Sequence, residues 1–228
     1  MKTVVISDLH IGDPRHLEDQ VVVNSSLKQL EFDRLILNGD IIDLWADSLD
    51  NIKTNELFIT LCEIAQKKDV VWIIGNHDSD IRYFPDVLPG AKMCDFYTIN
   101  GEKKILILHG NHFYEHEDRS WYTRAMSKLN LLAWKVTRFL GRKWNYPGFD
   151  FQTRIMRNEL WYGRYAHQRR RYLLNRYSKY ADIVIMGHTH LVGYCGGRGT
   201  ILYDAGSTTK TRTYAEISEN CEVAIRKI

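Results

Sequence analysis

Short apolar runs rich in β-branched residues, most closed by a polar residue or a glycine, recur along this 228-residue chain. They are Thr3 to Ser7, Leu35 to Leu37, Val70 to Ile74, Phe96 to Ile99, Ile105 to Leu108, Ile183 to Met186, Thr200 to Tyr203, Tyr214 to Ile217 and Glu222 to Ile225. Runs of that length and composition predict strands. Leu17 to Leu30 and Asn55 to Lys67 predict helices, Gly12-Asp13-Pro14 a turn, and Pro85 with Pro89-Gly90 a loop. Asn100-Gly101 sits between two strand-like runs and predicts a hairpin.

The pattern changes after residue 111. Trp121 to Leu140 and Gln152 to Tyr177 predict two helices, parted by the breaker region Gly141 to Gly148. Residues 112–180 carry 15 Lys and Arg against 5 Asp and Glu, whereas the rest of the chain carries 16 against 23. The same segment holds 16 of the 27 aromatic residues. The chain therefore reads as one α/β domain over residues 1–228, with a basic, aromatic-rich helical insert at 112–180 that suggests an anionic partner. The first residues run straight into a strand pattern with no signal-peptide character, and no apolar run is long enough to span a bilayer. Four cysteines (Cys62, Cys94, Cys195 and Cys221) show neither CxxC spacing nor disulfide density. A reducing, cytoplasmic setting is expected.

Five of the strand-like runs end in residues suited to metal binding: Asp8 and His10, Asp40, Asn76, His109, and finally His188 and His190. In α/β folds the carboxyl ends of strands open onto the ligand crevice, so these five ends can converge. Two Asp, one Asn and four His are too many for a single ion and suit two, with Asp40 the natural shared carboxylate. Mixed nitrogen and oxygen donors point to Mn²⁺, with Fe, Zn or Co as alternatives, rather than Ca²⁺ or Mg²⁺. Two such ions against two carboxylates leave a positive site that favours a phosphate ester. Each residue also has a plainer reading. An Asp can be a turn or helix cap, a single His a satisfied polar residue near the core, and Gly75-Asn76 a simple turn.

The series Asp8-x-His10, Gly39-Asp40, Gly75-Asn76-His77-Asp78, His109-Gly110, Gly187-His188-x-His190 resembles the signature of the calcineurin-like metallophosphoesterases. That resemblance implies a two-sheet α/β sandwich, here with the insert as a helical cap. It also implies two metals: Asp8, His10, Asp40 and His190 would hold one, and Asp40, Asn76, His109 and His188 the other. His77 would be the proton donor or phosphate contact, oriented by Asp78. In such two-metal chemistry, water acidified by both ions attacks phosphorus in line.

Within that superfamily, Gly39-Asp40-Ile41-Ile42-Asp43-Leu44-Trp45 and the position of the insert resemble the UDP-2,3-diacylglucosamine hydrolases of lipid A synthesis. Those enzymes cleave the diphosphate of a nucleotide-linked acylated sugar. This chain has His77 where they typically have Arg, and Asn111 where they have Asp. Around the substrate, Arg157, Asn158 and Arg164 are the candidates to grip a diphosphate, ahead of the Arg169-Arg170-Arg171 run. Such arginines also commonly form a solvated helix face. Asn111 is a further substrate contact, and Trp45 is either a cleft wall or core. Leu129, Leu132, Val136, Phe139 and Leu140 at helical spacing among basic residues suit either a peripheral contact with an anionic membrane or packing on the body. Three functions follow in order: a phosphoester or pyrophosphate hydrolase acting on a phosphorylated small molecule or lipid-linked substrate, a nuclease using the basic aromatic insert, and a scaffold that has lost catalysis. The oligomeric state is left open by the sequence.

Overall fold

A computed structural model of the chain describes residues 1–84, 86–111 and 159–228, together with the isolated helical positions Leu129, Leu132 and Val136. The chain enters through strand β1 (Thr3–Ile6), helix α1 (Leu17–Leu27) and β2 (Arg34–Asn38). It continues through the short α2 (Leu49–Ile52), α3 (Glu56–Lys67), β3 (Asp69–Ile73) and β4 (Ala91–Cys94). Strands β5 (Phe96–Asn100) and β6 (Lys104–Leu108) form the hairpin expected at Asn100-Gly101. After the insert come α4 (Glu159–Tyr177), β7 (Ile183–Met186), β8 (Val192–Gly197), β9 (Thr200–Ala205), β10 (Thr213–Ile217) and β11 (Val223–Lys227).

The strands form two sheets, ordered β11-β10-β1-β2-β3-β4 and β5-β6-β7-β9-β8. In the first, β1 to β4 run parallel, and β10 and β11 close it antiparallel. In the second, β6, β7 and β9 run parallel between two antiparallel edges. Alternation along each strand sends residues to opposite faces, and the core records this directly. Val5, Ile36, Val71 and Ile73 of the first sheet meet Ile105, Ile107, Ile183 and Ile185 of the second in a central apolar layer. The intervening positions Val4, Ile6, Leu35, Leu37 and Trp72 face outward onto Val23 and Leu27 of α1 and Leu57, Phe58 and Leu61 of α3. On the other side, Leu106, Leu108, Val184 and Met186 pack under Leu173 and Leu174 of α4. The result is an α/β/β/α sandwich, the two-sheet α/β architecture expected from the sequence.

Helix α3 starts where its residues dictate. Asn55 accepts hydrogen bonds from the backbone N–H of Leu57 and Phe58, and Leu57, Phe58, Leu61 and Ala65 form its buried stripe. Helix α4 belongs to the region read from the sequence as a helical cap inserted in the domain; in it Ala166, Leu173 and Leu174 are buried, the two leucines against the second sheet. Among the described residues, no helix is long and apolar enough to cross a membrane.

Candidate metal centre

The five strand ends converge. Parallel pairing places β1, β2 and β3 side by side with their carboxyl ends level, and β6 and β7 likewise in the facing sheet. The residues that follow each end therefore meet in one cleft. Asp8, His10, Asp40, Asn76 and His109 are all buried, and His188 and His190 are half-buried.

Backbone strain concentrates here. Among the described residues, eight non-glycine positions have positive φ, and five are Asp8, His10, Asp40, His188 and His190. Left-handed backbone costs an L-residue about 1–2 kcal/mol, so five together are held only because the surrounding packing enforces them. Hydrogen bonds show how. Asp8 N–H donates to the Gly39 carbonyl and His10 N–H to the Asp40 carbonyl, at 3.0 and 2.9 Å. His188 N–H donates to Asp8 Oδ2, and His77 N–H to Asp40 Oδ1 at 2.8 Å. Gly75 is required by closeness: a Cβ there would lie 2.2 Å from Asp40 Oδ1 and 2.3 Å from Asp40 N.

Two groups of donor atoms result. The donors of Asp8, His10 and His190 all lie within 4.8 Å of one another, as do those of Asp40, His109 and His188. A third grouping, of His10, Asp40 and His77, puts Asp40 within reach of both. The donor atoms face each other at close range. His190 Nε2 lies 3.0 Å from Asp8 Oδ1 and 3.4 Å from His10 Nε2. His109 Nε2 lies 3.2 Å from Asp40 Oδ2, while its Nδ1 is 2.8 Å from the Asn38 carbonyl, which fixes Nδ1 as the N–H donor. Asp8 Oδ1, Asn76 Oδ1 and His109 Nε2 are buried with no hydrogen-bond partner. Buried polar atoms are ordinarily satisfied, and a cation between these groups would supply the missing partners.

Ionisation follows the same geometry. Burial opposes charge on Asp8 and Asp40, but His190 beside the first and His109 beside the second hold both carboxyls below their usual range, Asp8 at about 2. Burial lowers His188 to about 3, helped by the charge on His109, and lowers His190 to about 4. Neutral imidazole is the metal-binding form.

Residues 1–192 of the chain match the calcineurin-like phosphoesterase family. The chain belongs to that family. No curated protein matches it closely enough to be counted a relative. Among solved structures, an archaeal phosphodiesterase is 15% identical, with each chain covered over 100% of its length and a TM-score of 0.48. Vps29 of Chaetomium thermophilum is 11% identical, over 100% of this chain and 97% of that one, with a TM-score of 0.46. With scores below 0.5, neither similarity bears on what this chain does.

Calcineurin-like phosphoesterases depend on two metals, and the donor set of this one suits them: carboxylate and amide oxygens with imidazole nitrogens, the mixture that borderline divalent ions prefer. One feature of the site was misassigned from the sequence. His77 is oriented by Asp43, whose Oδ2 lies 2.9 Å from His77 Nδ1 and 3.3 Å from His10 Nδ1. Asp78 turns away. It is fully buried and accepts the N–H of Ile41, the N–H of Gly75 and the indole N–H of Trp72, so it ties the ends of β2 and β3 together. Asp43 was visible in the sequence only as the third residue after Asp40, a spacing equally suited to a turn, and its 3.1 Å bonds from the N–H groups of Trp45 and Ala46 show that it also makes one.

Burial alone would keep His77 neutral, but the carboxylates of Asp40 and Asp43 outweigh it and raise the imidazole to about 9. Trp45 lies on the His77 ring, with centroids 4.0 Å apart and 33° between planes. Asn111 is half-buried just beyond the His109-Gly110 strand end, with its Oδ1 unpartnered. Arg164 is exposed on α4. Arg157 and Asn158 lie outside the described residues, as do Phe139 and Leu140, whereas Leu129, Leu132 and Val136 are helical and exposed. The triple arginine run is not a uniform solvated face. Arg169 is buried with its guanidinium over the Tyr165 ring, and Arg170 pairs with Asp204; Arg171 is exposed.

Proposed function

We propose that this calcineurin-like phosphoesterase hydrolyses a phosphoester or pyrophosphate bond with two divalent ions, Mn²⁺ in the first place and Fe, Zn or Co otherwise. The observation that carries this reading is the pair of donor groups joined through Asp40, with buried Asp8 Oδ1, Asn76 Oδ1 and His109 Nε2 unpartnered. Asp8, His10, Asp40 and His190 would hold one ion, and Asp40, Asn76, His109 and His188 the other. Bound there, the ions would polarise the phosphoryl oxygens and lower the pKa of water into the working range.

The chain's own groups do the rest. Asp43 fixes the His77 ring through Nδ1, so Nε2 is left for the substrate. With Nδ1 held by Asp43, His77 would present a proton from Nε2 to the phosphoryl or leaving oxygen. Trp45 packs on the ring and limits its rotation.

For the substrate, we infer a phosphorylated small molecule or lipid-linked compound of the UDP-2,3-diacylglucosamine kind, met at the cytoplasmic face of a membrane. Support comes from the Gly39 to Trp45 block, the basic insert, and the exposed apolar positions Leu129, Leu132 and Val136 on a helix. The protein, stripped with chelator and reloaded with Mn²⁺, would be assayed on bis-p-nitrophenyl phosphate, a UDP-linked acylated sugar and a single-stranded oligonucleotide. Metal-dependent hydrolysis of the chromogenic ester, with UMP released from the acylated sugar, is the expected result. Failure on every ester with all four metals would make the chain a scaffold. Cleavage of the oligonucleotide alone, falling steeply with salt, would make it a nuclease.

A further inference from the structure

Thr189 stands between the two ligand-type histidines of the last strand end, fully buried, and its hydroxyl points away from the cleft into a charged network. It donates to Asp204 Oδ2 at 2.5 Å and accepts the Leu191 N–H at 3.2 Å. The same Asp204 oxygen accepts from Arg170 Nε at 3.0 Å, and Asp204 Oδ1 accepts the Gly206 N–H at 3.3 Å. Arg170 Nη2 donates to the Leu191 carbonyl at 2.8 Å. Asp204 has no exposure and Arg170 only 11%. Gly193 makes room for this arginine, because a Cβ there would lie 2.4 Å from the guanidinium carbon.

Every member of the network serves the loop that carries His188 and His190. Those two residues hold left-handed backbone, at φ 70° and 54°. The loop needs outside bonds to keep that shape. One comes from β9, through Asp204 to Thr189, and one from α4, through Arg170 to the Leu191 carbonyl. Because α4 is the helix on which the insert returns to the body, the side chain of Arg170 physically joins the insert to the metal centre.

We infer that Arg170, Asp204 and Thr189 form a positioning relay that sets the geometry of His188 and His190 from helix α4. This rests on the reading above that both histidines are metal ligands. An outer partner of this kind is commonly worth 10- to 100-fold in metal affinity. An isolated surface salt bridge would be worth almost nothing; the burial of this pair is what gives it consequence.

The test is a calorimetric Mn²⁺ titration of the full chain, read beside its thermal midpoint. Wild type is expected to take up two equivalents; if it takes up none, the two-metal reading fails and the relay with it. Thr189→Val keeps the shape of the side chain and removes the hydroxyl. It is expected to weaken at least one Mn²⁺ site by 10-fold or more, and Thr189→Ser to restore binding to within about 3-fold of wild type. Arg170→Lys, which keeps the charge and loses the fork that spans Asp204 and Leu191, is expected to weaken the same site. If wild type binds two ions and Thr189→Val and Arg170→Lys bind them with unchanged affinity, the relay is wrong, whatever happens to the midpoint. A lowered midpoint with normal affinity in the folded protein would likewise reduce these residues to packing.

Discussion

The clearest division of labour among single residues lies between two buried carboxylates 35 positions apart in sequence. Asp43 touches the imidazoles of His10 and His77, whereas Asp78 touches backbone and Trp72. Asp43→Asn should therefore lower kcat by about 10- to 100-fold while the fold survives. Asp78→Asn, which puts an amide where three N–H groups converge, should cost about 2 kcal/mol or more of stability and leave folded enzyme turning over. Urea midpoints and kcat on the chromogenic ester separate the two; the reverse assignment would return the orienting role to Asp78. The sequence shows both aspartates, and adjacency to His77 favours the wrong one. The spacing that brings Asp43 back to His77 exists only after β2 and β3 pair. Proton linkage gives a second expectation. His77 ionises near 6.5 when unfolded and at about 9 in the folded, metal-free chain, so folding takes up a proton between those values. Its stabilisation is complete below about pH 6.5 and is lost as pH rises through 9, worth up to about 3 kcal/mol for a shift of that size. His109, raised to about 10 by Asp40 against its burial, acts in the same direction. Chelator-treated protein should thus unfold in less urea at pH 9.5 than at pH 6. His77→Gln should flatten that trend, and an unchanged slope would remove His77 as its source.

At the scale of elements, the site is a set of strand ends bent into left-handed turns, and the strands were far more legible than the bends. Val70 to Ile74 and Ile183 to Met186 declare themselves by β-branched composition, and both sit within a residue of their expected limits. Strand β8 was missed because Val192-Gly193-Tyr194-Cys195-Gly196-Gly197 has three glycines, which depress strand signals. One of those glycines answers to a contact visible only in three dimensions, Gly193 to Arg170. Strand β4 was lost next to the Pro89-Gly90 punctuation. Nothing in the sequence marks Asp8 or His188 as left-handed, since the conformation is imposed by bonds from other strands. Gly75 is where that enforcement is tightest. In Gly75→Ala the new methyl meets the backbone and carboxylate of Asp40, which cannot retreat without releasing the His77 N–H. A loss of about 2 kcal/mol or more is expected, in the range of severe steric and network defects, and fewer than two Mn²⁺ should bind. Normal Mn²⁺ stoichiometry in this variant would mean that the end of β3 is less constrained than it looks.

For the whole molecule, the informative boundary is the one inside the insert. Charge and aromatic content set residues 112–180 apart as a unit, but composition cannot distinguish a helix that covers a substrate from one that covers a sheet. Helix α4 does the second. Leu173 and Leu174 close the outer face of β6 and β7, and the fully buried Leu173 should cost about 2–4 kcal/mol when cut to alanine. Within the insert, α4 is thus a layer of the sandwich. Two deletions distinguish it from the rest of the insert. Replacing residues 112–158 with a Gly/Ser linker should leave a folded protein that binds Mn²⁺ and hydrolyses bis-p-nitrophenyl phosphate near the wild-type rate, because the donor groups, Asp43, His77 and the apolar layers are all retained. Its activity on the UDP-linked acylated sugar should fall by 100-fold or more, since the candidate substrate residues Arg157 and Asn158 go with the segment. Removing residues 112–180 should instead expose the outer face of the second sheet and leave Asp204 buried without Arg170, and circular dichroism should report a chain that does not fold cooperatively. If the longer deletion folded and hydrolysed the chromogenic ester, α4 would be cap after all. If the shorter one kept full activity on the acylated sugar, the substrate would be held by the sandwich alone.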